Sequence, residues 1–377
     1  MSFKSCAIIE HFKDIPDPRI ERKKLHQLID IIVISVCAII CGAKSFEEIE
    51  LFGKERKKWL KQFIKLKNGI PSHDTFRRVF LLLDPLEFQK KFMAWIEDIR
   101  LIKQGEVIAI DGKTARRSFD TKNNRGAIHV VSAWANDNNL VLGQLKVHNK
   151  SNEITAIPEL LNMLMIKKCI ITIDAMGCQK AIAENIINNK ADYVLAVKEN
   201  QPNLYKQIQS EFNNVSCNKV SEKTQDTHST KDIGHGREEY REYHILNDLS
   251  RIKNADQWVS LSAIGMVNST RKTKKKESSE QRYYILSSEM SAEQFGNAVR
   301  SHWGIENKLH WNLDVSFRED ECRIRKSNAP TNMNVVRHVA INLLKHEKSI
   351  KAGIVHKQLK AALSTKYLEQ ILGIEYF

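Results

Sequence analysis

Val107-Ile108-Ala109-Ile110-Asp111 and Cys169-Ile170-Ile171-Thr172-Ile173-Asp174 are two short apolar runs that each end on an aspartate. Runs of this length, rich in β-branched residues, read as strands buried on both faces. A carboxylate closing such a strand has no cheap structural reason to be charged there. Capping of the following turn or helix accounts for many single cases, so the pair carries more weight than either member.

Outward from these runs the pattern stays one of short elements. Ala127 to Ala135 and Leu140 to Val147 read as strands joined by the turn Asn136-Asp137-Asn138-Asn139. Apolar spacing predicts helices at Ile154 to Met165 and Gln179 to Asn189, and a fifth strand at Asp192 to Val197. The order β-β-β-α-β-α-β is that of a ribonuclease-H-like fold, whose first and fourth strands lie side by side. Asp111 and Asp174 would converge there, and the chain between them has room for the hairpin and crossover helix required.

The fold class is therefore α/β, with flanking units of different character. Helical spacing from Leu25 to about Leu101 predicts an all-helical N-terminal domain over residues 1–103, a candidate DNA-binding unit. Residues 104–211 form the first part of the ribonuclease-H-like core. Residues 212–290 read as a β-rich insertion, with strands near Glu239–Ile245, Trp258–Val267 and Arg282–Leu286. Residues 291–377 complete the core with helices and a C-terminal tail. Ser72, after Gly69-Ile70-Pro71, can cap a helix whose first turns carry Arg77 and Arg78, either a helix-turn-helix recognition element or an ordinary capped helix. The basic run from Arg271 to Lys276 either follows a phosphate backbone or is a solvated hairpin tip.

A helical pattern resumes near Ala292 and runs through Trp303, Glu306, His310 and Leu313. Spacings of three and four put Trp303, Glu306 and His310 on one stripe. Phosphodiester transfer needs an activated oxygen nucleophile, a stabilised leaving oxygen and neutralised phosphoryl charge, which two divalent ions about 4 Å apart supply. Magnesium takes hard carboxylate oxygens, leaving room for phosphate and water. Asp111, Asp174 and Glu306 form the minimal set, with Asp314 a competing third ligand. For His302 and His310, packing or phosphate contact outweighs metal ligation.

Lys and Arg number 59 against 45 Asp and Glu, a net charge of +14 that favours a polyanionic partner by counterion release. Seven cysteines include no CxxC pair, which argues for reduced thiols rather than a disulfide scaffold or zinc site. The apolar run Ile31 to Ala43 is too short to span a bilayer, so a soluble intracellular protein with no membrane partner is expected.

Several segments also resemble the bacterial insertion-sequence transposases of the H-repeat-associated (ISAs-type) family, a branch of the DDE transposases. They are Ala109-Ile110-Asp111-Gly112-Lys113, Lys150 to Pro158, Thr172 to Gln179, Asp192 to Lys198, His235-Gly236-Arg237, Arg300 to Trp311 and Leu313 to Asp320. In the N-terminal part, Asp17-Pro18-Arg19 and Gly69 to Phe76 match as well. The resemblance implies Asp111, Asp174 and Glu306 as catalytic, metal-holding acids. It also implies two Mg2+ ions with Mn2+ as substitute, DNA ends and target DNA as partners, and a homodimer or larger assembly in the bacterial cytoplasm or on the nucleoid. In the wider group, Tyr, Arg and Lys flank the glutamate; here Val299, His302 and Leu313 stand there, which leaves end-hairpin formation without its usual support. Lys113, Lys198, Arg237, Arg300, His302, Lys308 and His310, with Arg77 and Arg78, are the candidate DNA contacts. Glu199 replaces a glycine usual in the family. A nuclease without strand transfer and a catalytically dead DNA-binding derivative are the alternatives.

Overall fold

The computed structural model describes residues 7–101, 103–120, 126–147, 152–216, 225–234, 236–274 and 276–374. Two of the seven cysteines, Cys6 and Cys217, lie outside them, as do Lys150, Ser151, His235 and Lys275 of the segments given above. The N-terminal part is helical: α1 (Ala7–Phe12), α2 (Leu28–Ile40), α3 (Phe46–Glu55), α4 (Lys57–Leu60), α5 (His73–Leu82) and α6 (Pro85–Ile99). Ser45, Ser72 and Asp84 cap α3, α5 and α6 by accepting hydrogen bonds from first-turn amides.

The sheet region opens with β1 (Val107–Thr114), β2 (His129–Ala135), β3 (Leu140–Lys146), α7 (Glu153–Met163), β4 (Ile170–Ile173), α8 (Lys180–Asn188), β5 (Asp192–Val197) and α9 (Pro202–Ser216). Then come β6 (Gln225–Gly234), β7 (Arg237–Leu246), β8 (Ala263–Thr273) and β9 (Glu277–Leu286). Helices α10 (Ala292–Gly304), α11 (Trp311–Val315), α12 (Ala329–His346), α13 (Ile354–Leu363) and α14 (Thr365–Leu372) follow.

Among the described residues all nine strands join one mixed sheet, in the order β3-β2-β1-β4-β5-β9-β8-β7-β6. β1 lies between antiparallel β2 and parallel β4, so the first and fourth strands are neighbours. The later strands continue this sheet, because β9 pairs antiparallel with β5 from Val194↔Leu286 to Val197↔Tyr283. β8 starts only at Ala263, later than its apolar pattern suggested, since Ser260 in the left-handed region (φ 59°) breaks the extended path after Trp258. The Arg271–Lys276 run falls at the tip of the β8–β9 hairpin.

Helix α12 ties the sheet to the N-terminal helices, packing on α2, α5, α6 and β3. Its buried Asn342 pairs both backbone groups of Val141 on the edge strand β3, and its buried Asn332 donates to the carbonyls of Phe80 and Leu83. These amides satisfy groups that would otherwise be costly to bury. One apolar core consequently runs from Ile8 on α1 through the sheet to α14, and a second lies beneath α10. No helix among the described residues is long and apolar enough to cross a membrane.

Candidate active site

The last rung of the parallel β1–β4 ladder is Ile110↔Ile173, so Asp111 and Asp174 are the next residues on two adjacent strands. Neighbouring strands lie about 4.8 Å apart, which brings the two acids together without any loop rearrangement. β1 itself continues to Thr114 along β2, with Asp111 opposite Ser132. After Asp174 the chain turns: Asp174 Oδ1 accepts from the amides of Met176 (3.1 Å) and Gly177 (3.3 Å). The capping role is thus real, and it leaves the second oxygen free of hydrogen bonds from described residues. Asn200 and Gln201 donate to the carbonyls of Ala175 and Cys178, holding this turn from the loop after β5. Their neighbour Glu199 is exposed.

Glu306 arrives from the opposite side. α10 lies across β1, β4 and β5, but the helix expected to run unbroken to Leu313 becomes π-helical over Ile305–His310. Such wide turns recur at functional sites. The change alters the expected stripe: Trp303 and Glu306 are exposed, whereas His310 turns inward. Gly304, just before the π turn, abuts Asn136 and Trp134 at the end of β2, where a Cβ would collide. His302 Nδ1 lies 3.0 Å from Thr172 Oγ1, fixing α10 to β4.

The electrostatics centre on Asp111. Its carboxyl is pushed up to about 7, first by burial and then by the negative charges of Asp174, Glu153 and Glu306. Among the described residues no Lys or Arg pairs with it, and His310 Nδ1 lies 3.5 Å away. Burial, reinforced by Lys113, pushes that imidazole down to about 4, so it is neutral at pH 7. Asp111, Asp174 and Glu306 thus gather hard oxygen donors with no Lys or Arg paired to them among the described residues, while the fourth acid, Glu153, meets His129. No three His, Cys, Asp or Glu among the described residues are already gathered into a finished metal cage, and phosphate and water ordinarily complete a magnesium shell. The donor set therefore fits divalent cations.

Glu153 escaped the sequence reading. It opens α7, and its Oε1 sits 2.5 Å from His129 Nε2, whose Nδ1 meets Thr114 Oγ1 at 2.7 Å. Gly112, beside Asp111, has room for no side chain, because a Cβ would run into the Glu153 carboxylate and the His129 ring. The only available signal was its place in the matching segment that ends at Pro158.

The other candidate residues divide into inward and outward groups. Lys113 is buried against Asp314 (2.7 Å), Glu319 (3.1 Å) and Asp320 (3.5 Å), so its charge is spent inside the protein. That pairing also occupies Asp314, the competing third acid. Lys113, His302 and His310 thus face protein rather than solvent. Arg77 pairs with Asp74 and Glu47, while Arg78 is exposed. Arg237 pairs with Glu239 and Arg300 with Asp232 along a trough of about 1000 Å³ between α10 and the β6–β9 face. Lys198 is exposed, and Lys308 Nζ reaches Asn136 at 3.3 Å.

The mixed sheet thus brings two aspartates to the ends of adjacent strands, with a glutamate in the turn that follows a helix laid across them. The chain belongs to the DDE transposases of insertion sequences. The transposase DDE domain matches residues 102–343, and the region described as DDE_Tnp_1-associated matches residues 9–96. Among its relatives, the Escherichia coli O157:H7 protein named "Putative transposase YncI" is 46% identical over 97% of this chain and 94% of its own length. The K12 protein named "H repeat-associated putative transposase YhhI" is 44% identical over 97% of both chains.

Proposed function

We propose that this chain cuts DNA at the inverted-repeat ends of its insertion sequence and joins the freed 3′ hydroxyl to target DNA. The observation that carries this reading is the group of carboxylates whose charges act on Asp111, within a chain that matches the transposase DDE domain. The strand order, with β1 beside β4, supports a ribonuclease-H-like core. Asp111, Asp174 and Glu306 would hold two Mg2+ ions, or Mn2+ in their place. Those ions, when bound, supply nucleophile activation, leaving-group stabilisation and charge neutralisation.

The protein's own part is positioning. β1 and β4 hold Asp111 and Asp174 side by side, and the His302–Thr172 bond sets the helix carrying Glu306 over them. In the first step water attacks the phosphodiester at the element's end, the P–O3′ bond breaks, and the 3′ oxygen leaves as a hydroxyl. In the second, that hydroxyl attacks a target phosphodiester in line and a target 3′ oxygen departs. Basic residues, the exposed Arg78 and Lys198 and the half-buried Lys308 among them, would hold the DNA. The chain would act in the cytoplasm, on the nucleoid when DNA-bound, as a dimer or larger assembly on paired ends.

The test is cleavage and joining, in magnesium, of labelled DNA carrying the inverted repeats that flank the reading frame, for wild type and Asp174→Asn. Precise cutting and joining by wild type alone supports the proposal. Cutting without joining points to a nuclease, and specific binding with neither activity to a dead derivative.

A further inference from the structure

On the far side of the π-helical segment, the α12–α13 junction forms a concavity of about 610 Å³. Lys308, Lys345, Lys348 and Lys357 line it, with Trp311 exposed at the wall, and no Asp or Glu is among its lining residues. The trough beneath α10 is different: there Asp232, Glu239 and Glu280 pair with Arg237, Arg241, Arg271, Arg282 and Arg300. There each of these arginines has an acid within ion-pair distance. In the lysine concavity only Lys357 has an internal carboxylate, Glu347, at 3.5 Å. Lys345 sits 5.3 Å above the Trp134 ring, Lys308 reaches only the Asn136 amide, and Lys348 is exposed with no ion pair among the described residues.

Like charges held together in a concave wall raise one another's cost, and an anion is what relieves it. Burial together with Lys308, Lys348 and Lys357 pushes the Lys345 ammonium down to about 8, the mark of a positive site lacking its counterion. Asn307 and Lys308 line both hollows, so the two meet at the π turn that bears Glu306. We propose that the lysine concavity is a phosphate-backbone site for duplex DNA, with Lys345 and Lys348 as its contacts, placed so that DNA at the carboxylates continues across Asn307 and Lys308 onto α12. This rests on the transposase reading and adds to it two contacts, Lys345 and Lys348, outside the segments that carry the family resemblance.

The test uses the full chain without divalent ions, so that catalysis plays no part. Binding of fluorescent duplex carrying the element's end is followed by anisotropy between about 50 and 200 mM salt. Each phosphate contact removed should make the slope of log K against log salt shallower by about 0.9. K348Q, at an exposed position, should show one such step, K345Q/K348Q two, and K345R/K348R should regain the wild-type slope. An unchanged slope in K348Q and K345Q/K348Q, whether or not affinity falls, overturns the site while leaving the transposase reading intact. Failure of the wild-type chain to bind the end DNA overturns both.

Discussion

His302 on α10 and Thr172 on β4 are joined by a 3.0 Å contact between Nδ1 and Oγ1, four residues ahead of Glu306 and two ahead of Asp174, two of the proposed metal-holding acids. The contact ties α10 to β4. His302→Ala should lower DNA-end cleavage by roughly ten- to a hundredfold, because displacements near 1 Å cost about that much. DNA affinity should stay within about twofold, and His302→Asn should recover part of the rate. Single-turnover cleavage beside anisotropy measures both; a normal rate in His302→Ala would remove the positioning role.

Asp111 gives a pH signature to the metal-free protein. Its folded carboxyl titrates near 7 against an unfolded value of 3.8, so the folded state holds the proton more tightly. Its contribution is fully present below about pH 4 and is lost as pH rises through 7. Asp111→Asn, lacking that charge, should be more stable than wild type at pH 8 by about 2–4 kcal/mol and close to it at pH 4. Chemical denaturation in EDTA at the two pH values decides this. Adding magnesium should stabilise wild type only, and cleavage should vanish in the variant.

Gly112→Ala should be severe for so small a change. The added methyl group enters space held by the Glu153 carboxylate and the His129 ring. Overpacking of this kind costs about 1–3 kcal/mol, and it displaces Glu153, whose charge acts on Asp111. We expect a lowered Tm together with a loss of cleavage larger than the loss of folded protein. An active variant with wild-type Tm would show that Glu153 moves aside freely.

Asp314→Asn and Glu306→Gln separate the two contenders for the third acid. Asp314 is the Lys113 partner, so its loss should cost about 1–2 kcal/mol of stability while cleavage survives. Glu306 is exposed, with no ion pair among the described residues, so its loss should leave Tm unchanged and abolish cleavage. The reverse pattern would exchange their roles.

The elements that carry the first two acids were legible because they are local. Apolar runs from Val107 and Ile170, and the whole of β5, state their own secondary structure, and the β1–β4 adjacency follows from element order. What stayed hidden depends on contacts distant in sequence. Spacings of three and four predicted an α-helix through Glu306 and His310, and nothing in them announced the wider i→i+5 turn at Ile305–His310. Lys113 looked like a surface cation because Glu319 and Asp320 are far along the chain. Glu153 was invisible as an active-site neighbour, since its position follows from β1 folding beside α7.

The pairing of β9 with β5 also bears on synthesis at the ribosome. β5 is complete once Val197 has emerged, yet the strand that covers its outer edge begins only at Glu277. At about 5–20 residues per second, the nascent chain spends several seconds with the backbone donors and acceptors of an apolar strand open to any passing strand. Another nascent copy on the same message is the nearest such strand, so ribosome spacing on the transcript should influence how much of the enzyme matures correctly.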